Sequence, residues 1–532
     1  MISGGAILTF TCNLTQHGTP FTHSWEYVVG SDHAPIALRA DWQDQLRRCR
    51  DELGFRYVRF HGLLSDDMGT LIGHRDQLLY SFFNADRIFD FLRSIGMRPF
   101  VELSFMPSII ASGSDTVFRY QGNVTPPRDY GQWATLMSSI VRHWVDRYGL
   151  DEVREWYFEV WNEPNLHHFW TGTQAEYFEL YRHTVEAIKG VDPSLRVGGP
   201  ATAQAAWIPE FRKFCRANDL PVDFVTTHYY PTDAFGEIGA DTVTQLQNAP
   251  RDVMRERAAE SRAAAGELPL FYTEWNVSSN PRDLLHDQPF AAAYVTRILM
   301  GLSQLVQGYG FWTFTDVFAE NYFPSVAFHG GFGLLNLHGI PKPSYRAFEL
   351  LHRLGDERLE IAAAEDGTPS TAESSSKADM AHGTVDAWVV RGGKTTRVTV
   401  LLTNHAQPRH AISTELVRVT LRGVGAVRSA ALERIDERHA NAPGRWTEMG
   451  APKYLSPAQV EELMGVSRLV KEPIAFVRNQ ENSADAATRS TDGAVTFTLD
   501  IPPHAVAAIT LELDEADAAT TRDHSPAVAP AP

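Results

Sequence analysis

Between residues 24 and 350, short apolar runs alternate with amphipathic stretches of helical period. The runs lie at 24–30 (SWEYVVG), 57–62 (YVRFHG), 98–105 (RPFVELSF), 156–162 (WYFEVWN), 196–200 (RVGGP), 223–230 (DFVTTHYY), 270–276 (LFYTEWN) and 308–318 (GYGFWTFTDVF). They read as strands, and segments 41–53, 85–96 and 177–190 read as helices between them. Eight strands, each followed by a helical pattern, predict a (β/α)8 TIM barrel within the α/β class. An open doubly wound sheet would carry a glycine-rich phosphate turn after its first strand. The one glycine cluster of that type, GGFGLL at 330–335, follows the last strand instead.

Past residue 355 the period falls to two. Segments 395–404, 415–424 and 494–513 predict a C-terminal antiparallel β-sandwich, interrupted by a helix at 456–465 for which Ser456 and Glu461 are a loose cap signal. The expected division is a catalytic barrel over 1–350, with residues 1–13 candidates to pair with the sandwich, an accessory sandwich over 351–515, and an Ala/Pro-rich tail over 516–532 expected to be disordered.

Composition narrows the partners. The 532 residues carry a formal charge of −17, which argues against nucleic acid or an anionic membrane, since both call for clustered Lys and Arg, and suits a neutral substrate. Cys12, Cys49 and Cys215 are far apart and form no CxxC pair, as expected of a reducing compartment without structural zinc. The first residues lack a signal-peptide pattern and no apolar run is long enough to span a bilayer, so the expected location is cytoplasmic. Homo-oligomerisation is left open.

The chemistry gathers at the C-terminal ends of the strands, the active face of such barrels. Those ends offer His61, Glu102, Asn162 with Glu163, His228 with Tyr230, Glu274, and Trp312 with Asp316 and Glu320. Two of them share a pattern, Trp161-Asn162-Glu163 on the fourth strand and Glu274-Trp275-Asn276 on the seventh. These strands lie nearly opposite, so two carboxylates face each other across the barrel mouth, as glycoside hydrolysis requires: one protonated to donate to the leaving oxygen, one ionised to attack or to activate water. A single glutamate at a strand end is usually a solvated rim residue or half of an ion pair; the pairing on two facing strands is what outweighs that reading. His61 and His228 read equally well as core histidines. Trp161, Trp170, Trp275 and Trp312 read either as core or as a sugar-stacking platform. His167 and His168 are adjacent and do not converge as metal ligands do, so no metal is expected. Glu102 and Asp316 read as supporting residues.

The chain resembles glycoside hydrolase family 39, best known for β-xylosidases. The resemblance runs from VGSDHAPIALRADW (29–42) and GFRYVRFHGLLSDDMG (54–69) through FEVWNEPNLHHFW, TTHYYP, YTEWN and FWTFTDVF. It continues through FHGGFGLLNLHGIPKPSYRAF (328–348) to WTEMGAPKYLSPAQVEEL (446–463). NEP is common to a whole clan of barrels with acids on strands four and seven; RFHG, FWTFTDVF and HGGFGL together point to this family. The resemblance implies that Glu163 is the general acid/base and Glu274 the nucleophile, that Asn162 bonds the sugar 2-hydroxyl, and that His61, His228, Tyr230, Trp312 and Glu320 line the pocket. One departure is Asn321, where a second acid is expected beside Glu320. The expected activity is that of a retaining, exo-acting β-xylosidase working by double displacement on a neutral saccharide without cofactor. Rival activities are those of a β-galactosidase, arabinopyranosidase or iduronidase of the same family, or of a catalytically silent carbohydrate-binding protein.

Overall fold

The eight apolar runs fold as parallel strands: β1 (Val28–His33), β2 (Tyr57–His61), β3 (Arg98–Leu103), β4 (Tyr157–Val160), β5 (Arg196–Thr202), β6 (Phe224–His228), β7 (Leu270–Trp275) and β8 (Gly308–Phe311). They close in chain order into one barrel, β8 pairing with β1. The computed structural model describes residues 7–74, 77–232, 241–302, 304–320, 324–364, 380–392, 396–479 and 493–514. The first and last strands differ most from the pattern, the others by no more than two residues at an end. Residues 24–26 form a 3-10 turn and β1 runs on to His33, while β8 stops at Phe311 and Trp312 onward departs as a loop over the barrel mouth. The predicted helices span Ala40–Leu53, Phe83–Ser94 and Gln174–Lys189. The first ends on Gly54 at φ +76°, and the last starts with a reciprocal Thr173/Glu176 capping box.

Alternate residues of each strand fill the interior in layers, because side chains of a strand point inward with period two. Tyr57, Phe100, Tyr157, Phe224 and Phe271 close the N-terminal end as an aromatic floor. One layer up stand Arg59, Glu102, Glu159 and Thr273, two residues further along the same strands. Glycines make room for this filling: a Cβ on Gly308 would meet the Phe271 ring at 2.7 Å, and one on Gly30 would meet the Trp312 indole at 2.6 Å.

After the barrel the chain builds two antiparallel sheets around a second apolar core. Strand Leu8–Asn13 lies in one of them, parallel to Glu415–Val424 and antiparallel to Ile361–Ala364. The run 494–513 is two strands, Gly493–Ile501 in one sheet and Ala505–Leu513 in the other, broken at Pro502-Pro503. Proline lacks the N–H that a ladder needs. The inserted helix spans Pro457–Val466, and its cap partner is Gln459 rather than Glu461: Ser456 and Gln459 exchange hydrogen bonds in a capping box. A preceding helix, Ala442–Glu448, sets Trp446 against Phe328 of the loop after β8, with ring centroids 5.6 Å apart. The Ala/Pro-rich tail and Asn321 lie outside the described residues. Among the described residues no helix is long and apolar enough to cross a membrane.

Candidate active site

The C-terminal mouth of the barrel holds a cleft of about 620 Å³ whose lining includes His61, Asn162, Glu163, Tyr230, Glu274, Trp312 and Glu320. Seven of the eight residues singled out from the sequence thus meet in one cavity. His228, expected as a pocket residue, is fully buried behind Glu163 and does not line the cleft. Trp161, Trp170 and Trp275 are core; of the four tryptophans weighed, Trp312 alone faces the cavity. Trp161 anchors its strand end instead, its indole N–H donating to the Phe169 carbonyl at 2.8 Å.

Two backbone features deliver the acids. After β4, Trp161 and Glu163 adopt φ of +73° and +45°, a left-handed conformation costing a non-glycine residue about 1–3 kcal/mol. The turn is held by the Glu163 N–H donating to the Ala201 carbonyl at 2.8 Å. On β7 strict alternation would send Glu274 outward, because its neighbour Thr273 points into the barrel. The register with β8 shifts between Tyr272 and Trp275, and that with β6 between Thr227 and His228. Such irregularities re-aim side chains at barrel rims. Thr273 and Glu274 both serve the interior as a result.

Arg59, which sequence reasoning passed over, organises the site. Fully buried on β2, it donates from Nη1 to Glu274 Oε1 at 2.7 Å, from Nη2 to Asn162 Oδ1 at 2.9 Å, and from Nε to Glu159 Oε2 at 2.5 Å. Its Nη2 is also 2.9 Å from Glu102 Oε2. The signal was present in the motif RFHG: residues 57, 59 and 61 share one face of the strand, so an arginine there must point into the barrel.

The second oxygen of Glu274 accepts from the Tyr230 hydroxyl at 3.1 Å. Burial and the negative charge of Glu274 push the Tyr230 phenol well up, so it stays a donor. His61 Nδ1 sits 2.8 Å from Glu102 Oε2, and its Nε2 is 3.6 Å from both Glu274 and Glu320. Burial works against the charge of His61, but the Glu102 carboxylate outweighs it and raises the imidazole. Burial likewise pushes Glu102 up, but Arg59 and His61 hold it below the usual carboxylate range. Glu320 goes the other way: burial and the nearby Asp32, Glu274 and Glu163 drive it well up. Its neutral form, able to donate as well as accept, is thereby favoured in the cleft. Asp316, by contrast, pairs with the buried Lys342 at 2.7 Å and supports the loop after β8.

One ligand-type atom from each of Glu163, His228 and Glu274 falls within 4.8 Å of the other two. These side chains are the sole metal-compatible group among the described residues. The Arg59 guanidinium already holds Glu274 Oε1, so a metal ion there would meet a fixed cation at close range.

The sequence model described as Glycosyl hydrolases family 39 matches residues 10–483. The chain is 46% identical over 511 residues to a β-xylosidase of Caldicellulosiruptor saccharolyticus, covering 95% of this chain and 99% of that protein. It is 36% identical to a β-xylosidase of Geobacillus stearothermophilus, covering 92% and 93%. Among solved structures, a GH39 enzyme from Xanthomonas axonopodis pv. citri superposes with a TM-score of 0.82 at 34% identity, covering 96% of this chain and 98% of the other. A match that extends through the barrel and most of the sandwich, with both acids and their supports in place at the barrel mouth, leaves one assignment: the chain belongs to glycoside hydrolase family 39 and is a glycosidase.

Proposed function

We propose that the protein is a retaining, exo-acting β-xylosidase in which Glu274 is the nucleophile and Glu163 the general acid/base. The observation that carries the mechanism is the spacing of the acids: a carboxylate oxygen of Glu163 lies within 4.8 Å of one of Glu274. Retaining enzymes hold their carboxyl groups about 5–5.5 Å apart, whereas inverting ones leave about 6.5–9.5 Å for a water. The contacts support the roles. Glu274 is gripped by a guanidinium and a phenol, as an ionised nucleophile needs, while Glu163 has the neutral His228 beside it. In step one Glu274 attacks the anomeric carbon as Glu163 protonates the departing oxygen. In step two Glu163 takes a proton from water, which displaces Glu274 from the sugar.

The sugar preference rests on the cavity wall. No Arg or Lys stands among the described residues lining the cleft, which disfavours an iduronide, whose carboxylate calls for a cationic partner. Arg59 lies one layer below, with Nε, Nη1 and Nη2 hydrogen-bonded to Glu159, Glu274 and Asn162 respectively. Tyr230, Trp312 and Phe332 line the cleft and pack with Phe318 as an apolar cluster; in this reading they take the space that a hexose hydroxymethyl group would need. The two β-xylosidase relatives, similar over more than nine-tenths of this chain, support the same reading. The test is a panel of aryl glycosides differing only in the sugar. The β-xyloside should be cleaved best, the arabinopyranoside detectably, and the glucoside and iduronide poorly, with chelator leaving the rates unchanged. A missing methylene-sized group is worth about 1–3 kcal/mol, so discrimination is incomplete. Preference for a galactoside, or equal efficiency on an iduronide, refutes the xylosidase reading. No turnover on any sugar would favour a silent binding protein.

A further inference from the structure

Glu159 sits one layer below the cleft, yet hydrogen bonds connect it to Glu163 without a break. Thr273 Oγ1 donates to Glu159 Oε1 at 2.7 Å, His228 Nε2 lies 3.1 Å from Thr273 Oγ1, and His228 Nδ1 lies 3.0 Å from Glu163 Oε1. All four side chains are buried. Burial, reinforced by the positive charges of Arg59 and His61, keeps His228 neutral.

Counting hydrogens sets the sense of this chain, since a threonine hydroxyl and a neutral imidazole have one each to give. When Glu159 is ionised, Thr273 donates to it and must accept from His228 Nε2–H. Nδ1 then presents a lone pair, and the proton of that link has to come from the Glu163 carboxyl. When Glu159 is protonated, every bond reverses: Glu159 donates to Thr273, Thr273 to Nε2, and Nδ1–H to an ionised Glu163. With both carboxyls ionised, one link must set two lone pairs face to face.

We propose that Glu159, Thr273 and His228 form a buried relay that shares one proton with Glu163, so that ionised Glu159 holds Glu163 protonated and protonated Glu159 holds it ionised. The inference rests on Glu163 being the acid/base; the three relay members are positioning residues. The exchange balances. One proton moves from Glu163 Oε1 to His228 Nδ1, one from Nε2 to Thr273 Oγ1, and one from Oγ1 to Glu159 Oε1, while one negative charge passes from Glu159 to Glu163. No bond between heavy atoms changes. During turnover Glu163 gives its proton to the leaving oxygen. The mismatched link left against Nδ1 makes Glu163 a stronger base, and the proton of the incoming water restores the chain.

The charged and titratable groups around the relay are few. Glu159 meets Arg59 from β2, Glu102 from β3 and the Tyr177 phenol from helix Gln174–Lys189. His228 Nδ1 is 3.7 Å from Glu274 Oε2 on β7. Glu163 faces Tyr230 and Glu320 across the cleft. Burial raises Glu159, Arg59 pulls it back, and the net position is above the ordinary value, the direction that favours its protonated form.

The test is the pH profile of kcat/KM, on the best aryl glycoside, for Thr273→Val and Thr273→Ser. Valine keeps the shape and removes the hydroxyl, freeing His228 to donate Nδ1–H to ionised Glu163. The alkaline limb should fall by about one pH unit, while serine, which keeps the hydroxyl, should overlay the wild type. A valine variant whose limb coincides with that of the wild type, or a serine variant that moves with valine, overturns the relay. Should the valine variant not fold, ¹⁵N NMR of the histidine-labelled wild-type chain decides, with His228 assigned by its loss in His228→Gln. A neutral Nε2–H tautomer at the pH of maximal activity is expected; an Nδ1–H tautomer or an imidazolium overturns the proposal. Failure of the acid/base reading itself would show separately, as an alkaline limb that persists in Glu163→Gln.

Discussion

Arg59→Met tests whether one buried cation assembles the site. Methionine matches the length of the arginine stem but removes donors to Glu274, Asn162 and Glu159 and the charge beside Glu102. At an effective dielectric of about 20, each full charge pair about 4 Å apart is worth about 4 kcal/mol before desolvation is counted. Deleting the arginine also recovers the cost of burying it, so the net is closer to the about 3–5 kcal/mol typical of breaking a buried pair from one side. In a chain of this length, with an unfolding entropy of about 2.1 cal/mol/K per residue, that corresponds to a fall in melting temperature of about 3–5 °C. Activity should fall further than stability: Asn162 and Glu274 lose a common anchor, and a 1 Å displacement at a reacting centre costs about 10²-fold. Thermal melts by circular dichroism and kcat/KM on an aryl glycoside measure the two effects. Arg59→Met combined with Glu159→Gln separates their causes. Removing one of the carboxylates stranded by the first change should recover part of the stability and none of the activity. A single variant that melts with the wild type, or a double variant no more stable than the single, would refute the view that carboxylate pairing at Arg59 holds this layer together.

Glu274→Gly should abolish turnover, and azide should restore it with the opposite anomeric configuration in the product, read by NMR; loss without rescue counts against a covalent intermediate. Glu163→Gln should remove the alkaline limb and slow substrates with poor leaving groups by about 10²–10⁴-fold, while activated aryl groups suffer much less; an equal loss on both would deny Glu163 the acid role. Glu102→Gln should destabilise most near neutral pH. The native carboxyl is held below its ordinary value of 4.5, so its contribution is present above that pH and is lost as pH falls through the native value. Urea melts at pH 6 and pH 3 should therefore show a wild-type advantage that shrinks in acid, and a constant difference would contradict the assignment.

The barrel was legible because strands buried on both faces are apolar throughout and helices between them have a different period; eight such alternations admit few topologies. Glu163 and Glu274 were legible for a related reason: a carboxylate that ends an apolar strand is conspicuous, and two on facing strands suggest chemistry. Strand limits near the mouth were less legible, since β8 ends at Phe311 and the apolar residues after it are loop. Other features had no local signal at all. Glu274 faces the cleft only because the β7 ladder slips against both neighbours, and register is a relation between strands. His228 lies behind the acid instead of along the cleft, and Trp161, Trp170 and Trp275 are core, because inward and outward positions depend on where the barrel closes. Arg59 looks in sequence like any charged residue in a strand. Only the closed barrel, by withdrawing it from water and surrounding it with Glu102, Glu159, Asn162 and Glu274, turns it into the anchor of the site. Sequence thus determined which elements form and which side chains are available. Tertiary structure decided which of them meet, in what register and with what charge, since those depend on contacts between residues from far-separated parts of the chain.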